Sequence, residues 1–586
     1  MKYSDQLAEW LVELGYNRCF FVGGGNIMHL IESLSRRMPC HAVIHEVAAG
    51  IAAEYYNETS DSGRALALVT AGPGLTNIVT AMAGAYLESR ELLVIGGQVK
   101  TADLAHGVLR QRGIQEIDGV SIAKPVSKTS VLITDTLSFD EFSQLVNGSR
   151  SGRKGPVFLE IPLDIQARDY SDAGHGPATA SCTTEPKASP EQVQQVADLV
   201  RKAQRPVFLL GGGLSRAGAR AVLQRLDSGS IPVATTWNGA DRIGADSPVY
   251  VGRPNTWGQR SANLVLQQAD LVVAVGTRLG IQQTGFNWQQ FVPLGEVVQV
   301  DVDPAELSKG HPRVAHPICA DAAEFMVALA QQDLGNHAEW LGYAREVRAA
   351  IPLIEPVNNT RDGYVSPYVF VDKLAGQCKA GDVIIPCSSG GAFTVMMQTF
   401  SQKQGQLMVT NKGLAAMGYG LSGAIGAAFA HPDCRVVLVE GDGGFAQNLQ
   451  EIGTAKINKL NLKMFIFDDS GYASIRMTQK SYFGGHYVGC DINTGLGLPN
   501  WEQLFKAWDV PVCRLGPDFL DNPRFRELFE GTGPAALVVS IDPEQTYFPK
   551  ITSQITATGA MASNPLHRMT PDLPAEVQAK VGKYLP

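Results

Sequence analysis

The sequence lacks any sustained basic run: 49 lysines and arginines are scattered among 57 acidic residues, for a formal net charge of −8. Phosphate-rich partners call for clustered Lys and Arg, so this balance argues against nucleic acid. There is no Cys-x-x-Cys pair. The nine cysteines are odd in number and dispersed from Cys19 to Cys513, which reads as reduced thiols, not as a disulfide framework or a zinc centre. No window reaches the roughly 18 consecutive apolar residues that a membrane-spanning helix needs. The opening MKYSDQLAEWLVELGY is an amphipathic helix carrying acids, without the charged start or apolar core of a secretory signal. No solenoid-type repeat is visible. These absences point to a soluble, cytoplasmic protein without a membrane partner.

What the sequence does have is length and alternation. A chain of 586 residues exceeds one hydrophobic core and predicts about three to four domains. Its 61 glycines suit tight strand-to-helix turns and close approach of backbone to ligand. Apolar strand-like runs alternate with helical patterns, which predicts an α/β protein of three doubly wound parallel-sheet domains. The first, residues 1–171, carries Cys19 to Val22, HAVIH, ALALVT, LLVIGG and GPVFLEIP. The second, 190–335, carries RPVFLLGGG, IPVATTW, ADLVVAVGT and EVVQVDVDP. The third, 362–545, carries GDVIIP, QLMVT, RVVLVEGDG, KMFIFDD and AALVVSID. Polar stretches near 172–189 and 336–362 read as connections. The tail, 546–586, reads as a surface strap or an active-site lid. The similar size and pattern of the three units hints at related folds.

Chemistry concentrates in the third unit. Strand RVVLVE ends in GDGG, a helix follows, and strand KMFIFDD comes next, so Asp442 and Asp469 lie 27 residues apart at the ends of successive strands. One βαβ unit places both at the same sheet edge, where open sheets bind ligands. Glycines after the first strand let backbone approach a phosphate, and the helix start offers free N–H donors. Two carboxylates beside such a turn suit Mg²⁺, which keeps a few carboxylates plus phosphate and water. Either feature alone reads as a plain turn; the two at this spacing are far more specific.

GDGGFAQNLQEIGTAKINKLNLKMFIFDDSGY resembles the thiamine diphosphate motif, in which Gly-Asp-Gly is followed some two dozen residues later by Asn-Asn, with Asp468-Asp469 in place of the asparagines. The resemblance implies that Asp442, Asp469 and the carbonyl of Gly471 hold Mg²⁺, with Gly441, Gly443, Gly444 and Tyr472 around the thiamine diphosphate. HAVIHEVAAGIAAEYY supplies Glu46 where the family places the glutamate that hydrogen-bonds N1′ of the aminopyrimidine. Protonation there lets the 4′-imino group remove the thiazolium C2 proton. TAGPGLTNIVTAMAGAYLESRELLVIGGQV, with Pro73 and Asn77, and GLAAMGYGLSGAIGAA resemble segments of the acetolactate synthase group. In the latter, Met417 would sit under the cofactor and enforce its bent conformation; a methionine in an apolar run is otherwise core packing. Ser389, Gly391 and Ala392 of SSGGAF fall where the family's diphosphate loop lies. The resemblance runs from about residue 3 to 545 in the family's order of pyrimidine, middle and diphosphate domains. Family members build the site from the first and third domains of different subunits, which implies a homodimer at least and a homotetramer as the larger assembly.

Acetolactate synthases bind FAD in the middle domain. The chain offers LLGGGLSRAG, TTWNGADR, GTRLGIQQTG and VDVDPAELSKG; the first alone is a weak dinucleotide signal, but GTR and TG with DVDPAELSK match the flavin-binding synthases better than the decarboxylases. By that resemblance FAD would lie at Gly212, Gly213, Thr236, Gly276, Arg278, Thr284, Asp301, Asp303 and Asp321.

Enzymes of this type store a carbanion after a 2-keto acid loses CO₂, then protonate it, oxidise it or add it to a second carbonyl. Gln115 matches a glutamine that acetolactate synthases place by the acceptor, and Gly25 leaves space where some decarboxylases carry a larger polar group. Both favour carboligation, and with Glu46 and Asn26 they form the candidate catalytic set. The acetolactate synthase pattern breaks where the acceptor is read: a tryptophan is Thr478, an arginine Gln282, a lysine Leu163 and an alanine Asn26. DDSGYASIRMTQKSYFGG instead resembles flavin-containing carboligases of branched-sugar and secondary-metabolite pathways, of the yersiniose type. The expectation is a carboligase that decarboxylates pyruvate, or a close 2-keto acid, and adds the acyl carbanion to a bulky ketone or aldehyde, with FAD structural. The alternatives are acetolactate synthase, joining two pyruvates, and a flavin-linked pyruvate oxidase. Asp469 adds a negative charge where an amide is usual, tolerable beside a diphosphate only with the metal bound, so tighter metal dependence is expected.

Overall fold

The computed structural model describes residues 1–170, 185–555 and 561–585; most of the expected 172–189 connection lies outside the described residues. Its architecture is three six-stranded, all-parallel sheets flanked by helices. The first contains β1 Tyr16–Phe21, β2 Cys40–Ala42, β3 Arg64–Val69, β4 Leu92–Gln98, β5 Thr129–Leu132 and β6 Pro156–Pro162, in the order β2-β1-β3-β4-β6-β5. The second contains β7 Pro206–Leu210, β8 Val233–Thr235, β9 Tyr250–Gly252, β10 Leu271–Val275, β11 Glu296–Asp301 and β12 His316–Cys319, in the order β12-β11-β10-β7-β8-β9. The third contains β13 Val383–Pro386, β14 Leu407–Met408, β15 Val436–Gly441, β16 Leu462–Asp468, β17 Val512–Leu515 and β18 Ala535–Ser540, in the order β14-β13-β15-β16-β18-β17.

The first and third sheets therefore share one topology. The middle one has the order of the dinucleotide-binding folds, with its switch point between β7 and β10. Central strands such as β3, β4 and β6 are buried at every residue, as helices on both faces require. The helix expected over FAQNLQEIGTAKI is broken: Asp442–Phe445 is α-helical, Ala446–Glu451 is a 3-10 turn with Asn448 at φ −133°, and Ile452–Ile457 resumes the α-helix.

The first and third domains meet through helices Glu46–Thr59 and Tyr419–Ala430. Their backbones approach closely, since a Cβ on Gly426 would strike the carbonyl of Ala52 and one on Gly423 the ring of Tyr55. A buried polar network crosses all three domains. Arg90 pairs with Glu54 at 2.9 Å and donates to the Thr410 carbonyl at 2.6 Å, while Tyr419 donates to Glu54 at 2.7 Å. Arg216 of the middle domain pairs with Glu58 at 3.1 Å and Asp241 at 2.7 Å, and Asp241 accepts from the Met408 N–H at 3.0 Å.

The tail is strapped to the middle domain. An antiparallel hairpin of β19 Ser553–Ile555 and β20 Met561–Ser563 leads to Leu566, Met569 and Val581, which pack into the core with Val207, Leu209 and Val272. Buried Arg260 donates to the carbonyls of Met569 and Pro571 at 2.9 and 2.7 Å and grips Glu355 with two bonds of 2.9 Å. Among the described residues no helix is long and apolar enough to cross a membrane.

Candidate active site

The switch point of the third sheet lies between β13 and β15, because the chain leaves β13 for the edge strand β14 and returns on the other side. Asp442 opens the helix after β15, and Asp469 follows β16, so neighbouring strands deliver both carboxylates to one edge. Both are buried, at 1% and 6% exposure. Asp442 accepts from the N–H groups of Gly443 at 2.6 Å and Gly471 at 3.1 Å. Burial and the neighbouring Asp469 carboxylate push Asp442 well above the usual carboxylate range. Burial pushes Asp469 up to about 7, against the pull of Arg476, whose guanidinium pairs with it at 2.7 Å. Asp468 turns away to pair with Arg514 at 2.9 Å.

Gly471, at φ +151°, is confined by the carbonyl of Cys490, which any side chain would strike, and this holds its peptide against Asp442. Tyr472 covers Gly443, whose Cβ position its ring occupies. In front of the pair the cradle is open. At Gly390 and Gly441 the space where a side chain would project is empty to 4 Å, and the Gly444 position faces Glu440. Helix Gly390–Thr399 begins here with Ser389 at its N-cap, and the Ser389 side chain does not cap it. The first-turn N–H groups, including those of Gly391 and Ala392, are thus free to donate to an anion. Repelling buried carboxylates beside uncapped donors and an open backbone face fit a divalent cation bound together with a phosphate.

Met417 lies in the loop before helix Tyr419–Ala430 and is 39% exposed, which rules out core packing as its role. Two side chains fix that loop: Ser388 donates to the Ala416 carbonyl, and Asn448 donates to the Gly418 carbonyl at 2.7 Å. The break at Asn448 is what lets its amide reach Gly418.

The matching edge of the first sheet gathers the other expected residues. Glu46 starts helix Glu46–Thr59 at 8% exposure, and one of its oxygens accepts from the Asn77 amide at 3.0 Å. Asn77 lies in helix Pro73–Leu87, which begins with Pro73 after the close contact of Gly72 with the Gln115 carbonyl. Gln115 is exposed, at φ +61°. Gly25 faces open space, and the Asn26 carbonyl accepts from Gln166 at 2.8 Å. No described hydrogen bond or ion pair joins Glu46 to Asp442 or Asp469. Within one chain the turn before Glu46 instead touches Glu451, which accepts from the N–H groups of Ile44 and His45 at 3.1 and 3.0 Å.

At the switch point of the middle sheet, Gly212 and Gly213 follow β7 and are exposed, while Gly276 and Arg278 follow β10. Thr236 accepts from Gly239, and Thr284 donates to the Gly280 carbonyl. This glycine edge fits the approach of a dinucleotide pyrophosphate. The acids are less free. Asp301 accepts from Asp303, Asp303 caps Ala305 and pairs with Arg153 at 3.1 Å, and Asp321 caps Ala323 and Glu324.

Sequence reasoning passed over Arg476, Glu451 and Tyr547. Arg476 lies seven residues after Asp469, in the helix that follows the loop, a spacing that could have marked it as a partner. Glu451 is the first acid after Asp442, on the broken helix. Tyr547, whose ring fills the Cβ position of Gly391, comes from beyond the third sheet and gave no signal.

Family models of the thiamine pyrophosphate enzymes match along the chain: the N-terminal TPP binding domain over residues 1–122, the central domain over 193–329 and the C-terminal TPP binding domain over 389–539. Among its relatives, the acetolactate synthase isozyme 1 large subunit of Escherichia coli (strain K12) is 29% identical over 556 residues, covering 94% of this chain and 95% of that one. The isozyme 2 large subunit from the same strain is 29% identical over 555 residues, covering 93% and 97%. A probable acetolactate synthase large subunit of Methanocaldococcus jannaschii is 28% identical over 563 residues, covering 93% of each.

Proposed function

The chain belongs to the thiamine pyrophosphate enzyme family, and we propose that it decarboxylates pyruvate, or a close 2-keto acid, and joins the acyl unit to a second carbonyl. The observation that carries this is the buried Asp442–Asp469 pair beside the uncapped start of helix Gly390–Thr399. Bound thiamine diphosphate would supply a carbon that stabilises the negative charge left when CO₂ departs. Asp442, Asp469 and the Gly471 carbonyl would hold Mg²⁺, and the N–H groups of Gly391 and Ala392 would meet the diphosphate. Glu46, oriented by Asn77, would hold the proton at the pyrimidine N1′. Exposed Met417 would support the bent cofactor. Because the turn before Glu46 touches Glu451 rather than the carboxylate pair, the Glu46 that serves each pair would come from a second copy of the chain. That makes the working unit a homodimer at least, with a homotetramer as the larger assembly.

A second pyruvate is the acceptor that the names of the relatives support best, giving acetolactate. A bulky ketone or aldehyde is the second reading. It is favoured by Thr478, Gln282, Leu163 and Asn26, which leave the acceptor side without the aromatic and the two cations of the synthase pattern. FAD along Gly212, Gly213, Gly276 and Arg278 is supported by the strand order of the middle sheet. A flavin spectrum in the purified protein checks it.

The deciding experiment supplies the cofactor-loaded protein with pyruvate alone and with pyruvate plus cyclic or sugar ketones. Acetolactate as the dominant product in both cases establishes the synthase reading; a tertiary alcohol that outcompetes it establishes the bulky acceptor. Acetaldehyde alone, or flavin reduction by pyruvate without oxygen, would overturn carboligation.

A further inference from the structure

Arg476 commits its guanidinium to the loop that carries Asp469. Its Nη2 donates to both the carboxylate and the backbone carbonyl of Asp469, each at 2.7 Å. Its Nη1 reaches the carbonyls of Ser470 and Cys490 at 3.4 Å, and Nε donates to the Pro543 carbonyl at 3.1 Å. The side chain is 5% exposed, so water does little to screen the pair. The geometry leaves one Asp469 oxygen, Oδ2, outside the ion pair.

We propose that Asp469 and Arg476 act as one neutral unit, in which the guanidinium cancels the charge that Asp469 adds and leaves the oxygen outside the ion pair, Oδ2, to face the metal. This rests on the reading of Asp442 and Asp469 as a divalent-metal site. Arg476 is then a positioning residue: it acts through Asp469 and does not touch the ion. Paired with Arg476, the carboxylate leaves the site with the net charge that a neutral amide would give.

A consequence separates this from simple stapling of the loop. Asp469→Asn leaves a buried cation unpaired next to the metal, and repulsion at short range in a poorly screened site weakens ion binding by about tenfold or more. Removing that cation as well, in Asp469→Asn/Arg476→Gln, restores binding to within about threefold of the parent by the same electrostatic argument. If Arg476 only staples the loop, the double variant binds worse than either single one.

The test titrates Mn²⁺ with thiamine diphosphate present, following free Mn²⁺ by electron paramagnetic resonance, for the parent, both single variants, the double variant and Arg476→Lys. Far-UV circular dichroism confirms that each is folded. Weak binding by Asp469→Asn, recovery in the double variant and near-parent binding by Arg476→Lys support the proposal. Parent-like binding by Asp469→Asn, or a double variant weaker than Asp469→Asn, overturns it. Should Asp469→Asn fail to fold, Arg476→Lys and Arg476→Gln decide: equal binding by the two overturns the charge argument. If the parent itself binds no Mn²⁺ with the cofactor, the metal-site reading falls, and the proposal with it.

Discussion

The backbone N–H of His45 donates to the buried carboxylate of Glu451 at 3.0 Å, tying the residue before Glu46 to the third domain. Ile44 donates to the same carboxylate at 3.1 Å, and Thr454 at 2.5 Å. Burial holds Glu451 above the usual carboxylate range. Glu451→Ala leaves three donors without their acceptor, and unsatisfied groups of this kind cost about 1–3 kcal/mol. The expected result is a lower urea midpoint together with reduced turnover, because Glu46 loses its anchor. Glu451→Gln keeps an acceptor and is expected to fall between. An Ala variant with the parent's midpoint would show that the clamp contributes nothing.

The Arg90–Glu54 pair lies within the first domain and ties it to the third through the Thr410 carbonyl, the Tyr419 hydroxyl and the Asn411 amide. Glu54 is fully buried, and burial raises its carboxyl despite Arg90, Tyr419 and Asn411 around it. Arg90→Met removes the only cation described on Glu54 and leaves the Thr410 carbonyl without its donor. Breaking one side of a buried pair costs about 3–5 kcal/mol. A drop in the thermal midpoint of several degrees is expected, and Arg90→Met/Glu54→Gln should recover part of it. No change in Arg90→Met would mean that the tyrosine and asparagine alone hold Glu54.

Central strands were legible in the sequence because burial on both faces writes them as unbroken apolar runs. In the three parallel sheets, the four strands that the pattern passed over, β5, β9, β12 and β17, are all sheet edges. Edges are short, and three of these are only partly buried, so no such run marks them. The paired carboxylates Asp442 and Asp469 stood out because two strand ends one crossover apart must share an edge. Arg476 and Glu451 did not, since their partners depend on how the loop after β16 folds and on the break at Asn448. The expectation that the charge of Asp469 stands alone missed Arg476 for that reason. A likeness among all three units was legible in outline; that only the first and third share one strand order needed the topology.

A pH dependence follows from Glu160, on β6 beneath the loop that carries Gln115. It is 2% exposed, and its Oε1 has no hydrogen-bond partner among the described residues. Burial pushes its carboxyl up to about 8, with Asp118 and Glu116 adding to the rise. The folded chain therefore keeps a proton that the unfolded chain has released above its ordinary pKa of 4.5. The stabilisation is complete below that value and is lost as pH rises to about 8, at about 1.4 kcal/mol per pH unit as an upper limit. Glu160→Gln should match the parent near pH 5 and exceed its thermal midpoint at pH 9. Parallel pH profiles for the two proteins would contradict this.

Glu46→Gln isolates the proton proposed at the pyrimidine. The residue is buried at the start of its helix, and the oxygen that accepts from Asn77 has an equivalent in glutamine, so packing and orientation are kept. Only the acid–base group proposed at the pyrimidine is removed. Proton transfer by a positioned group typically contributes about 10²–10⁴-fold. Turnover of pyruvate and exchange of the cofactor C2 proton, followed by NMR, should fall together by that order. Binding of Mn²⁺ with the cofactor should stay near the parent value, because the Asp442–Asp469 pair is untouched. Full C2 exchange in this variant would remove Glu46 from the chemistry. Loss of metal and cofactor binding would make it a structural support of the site instead.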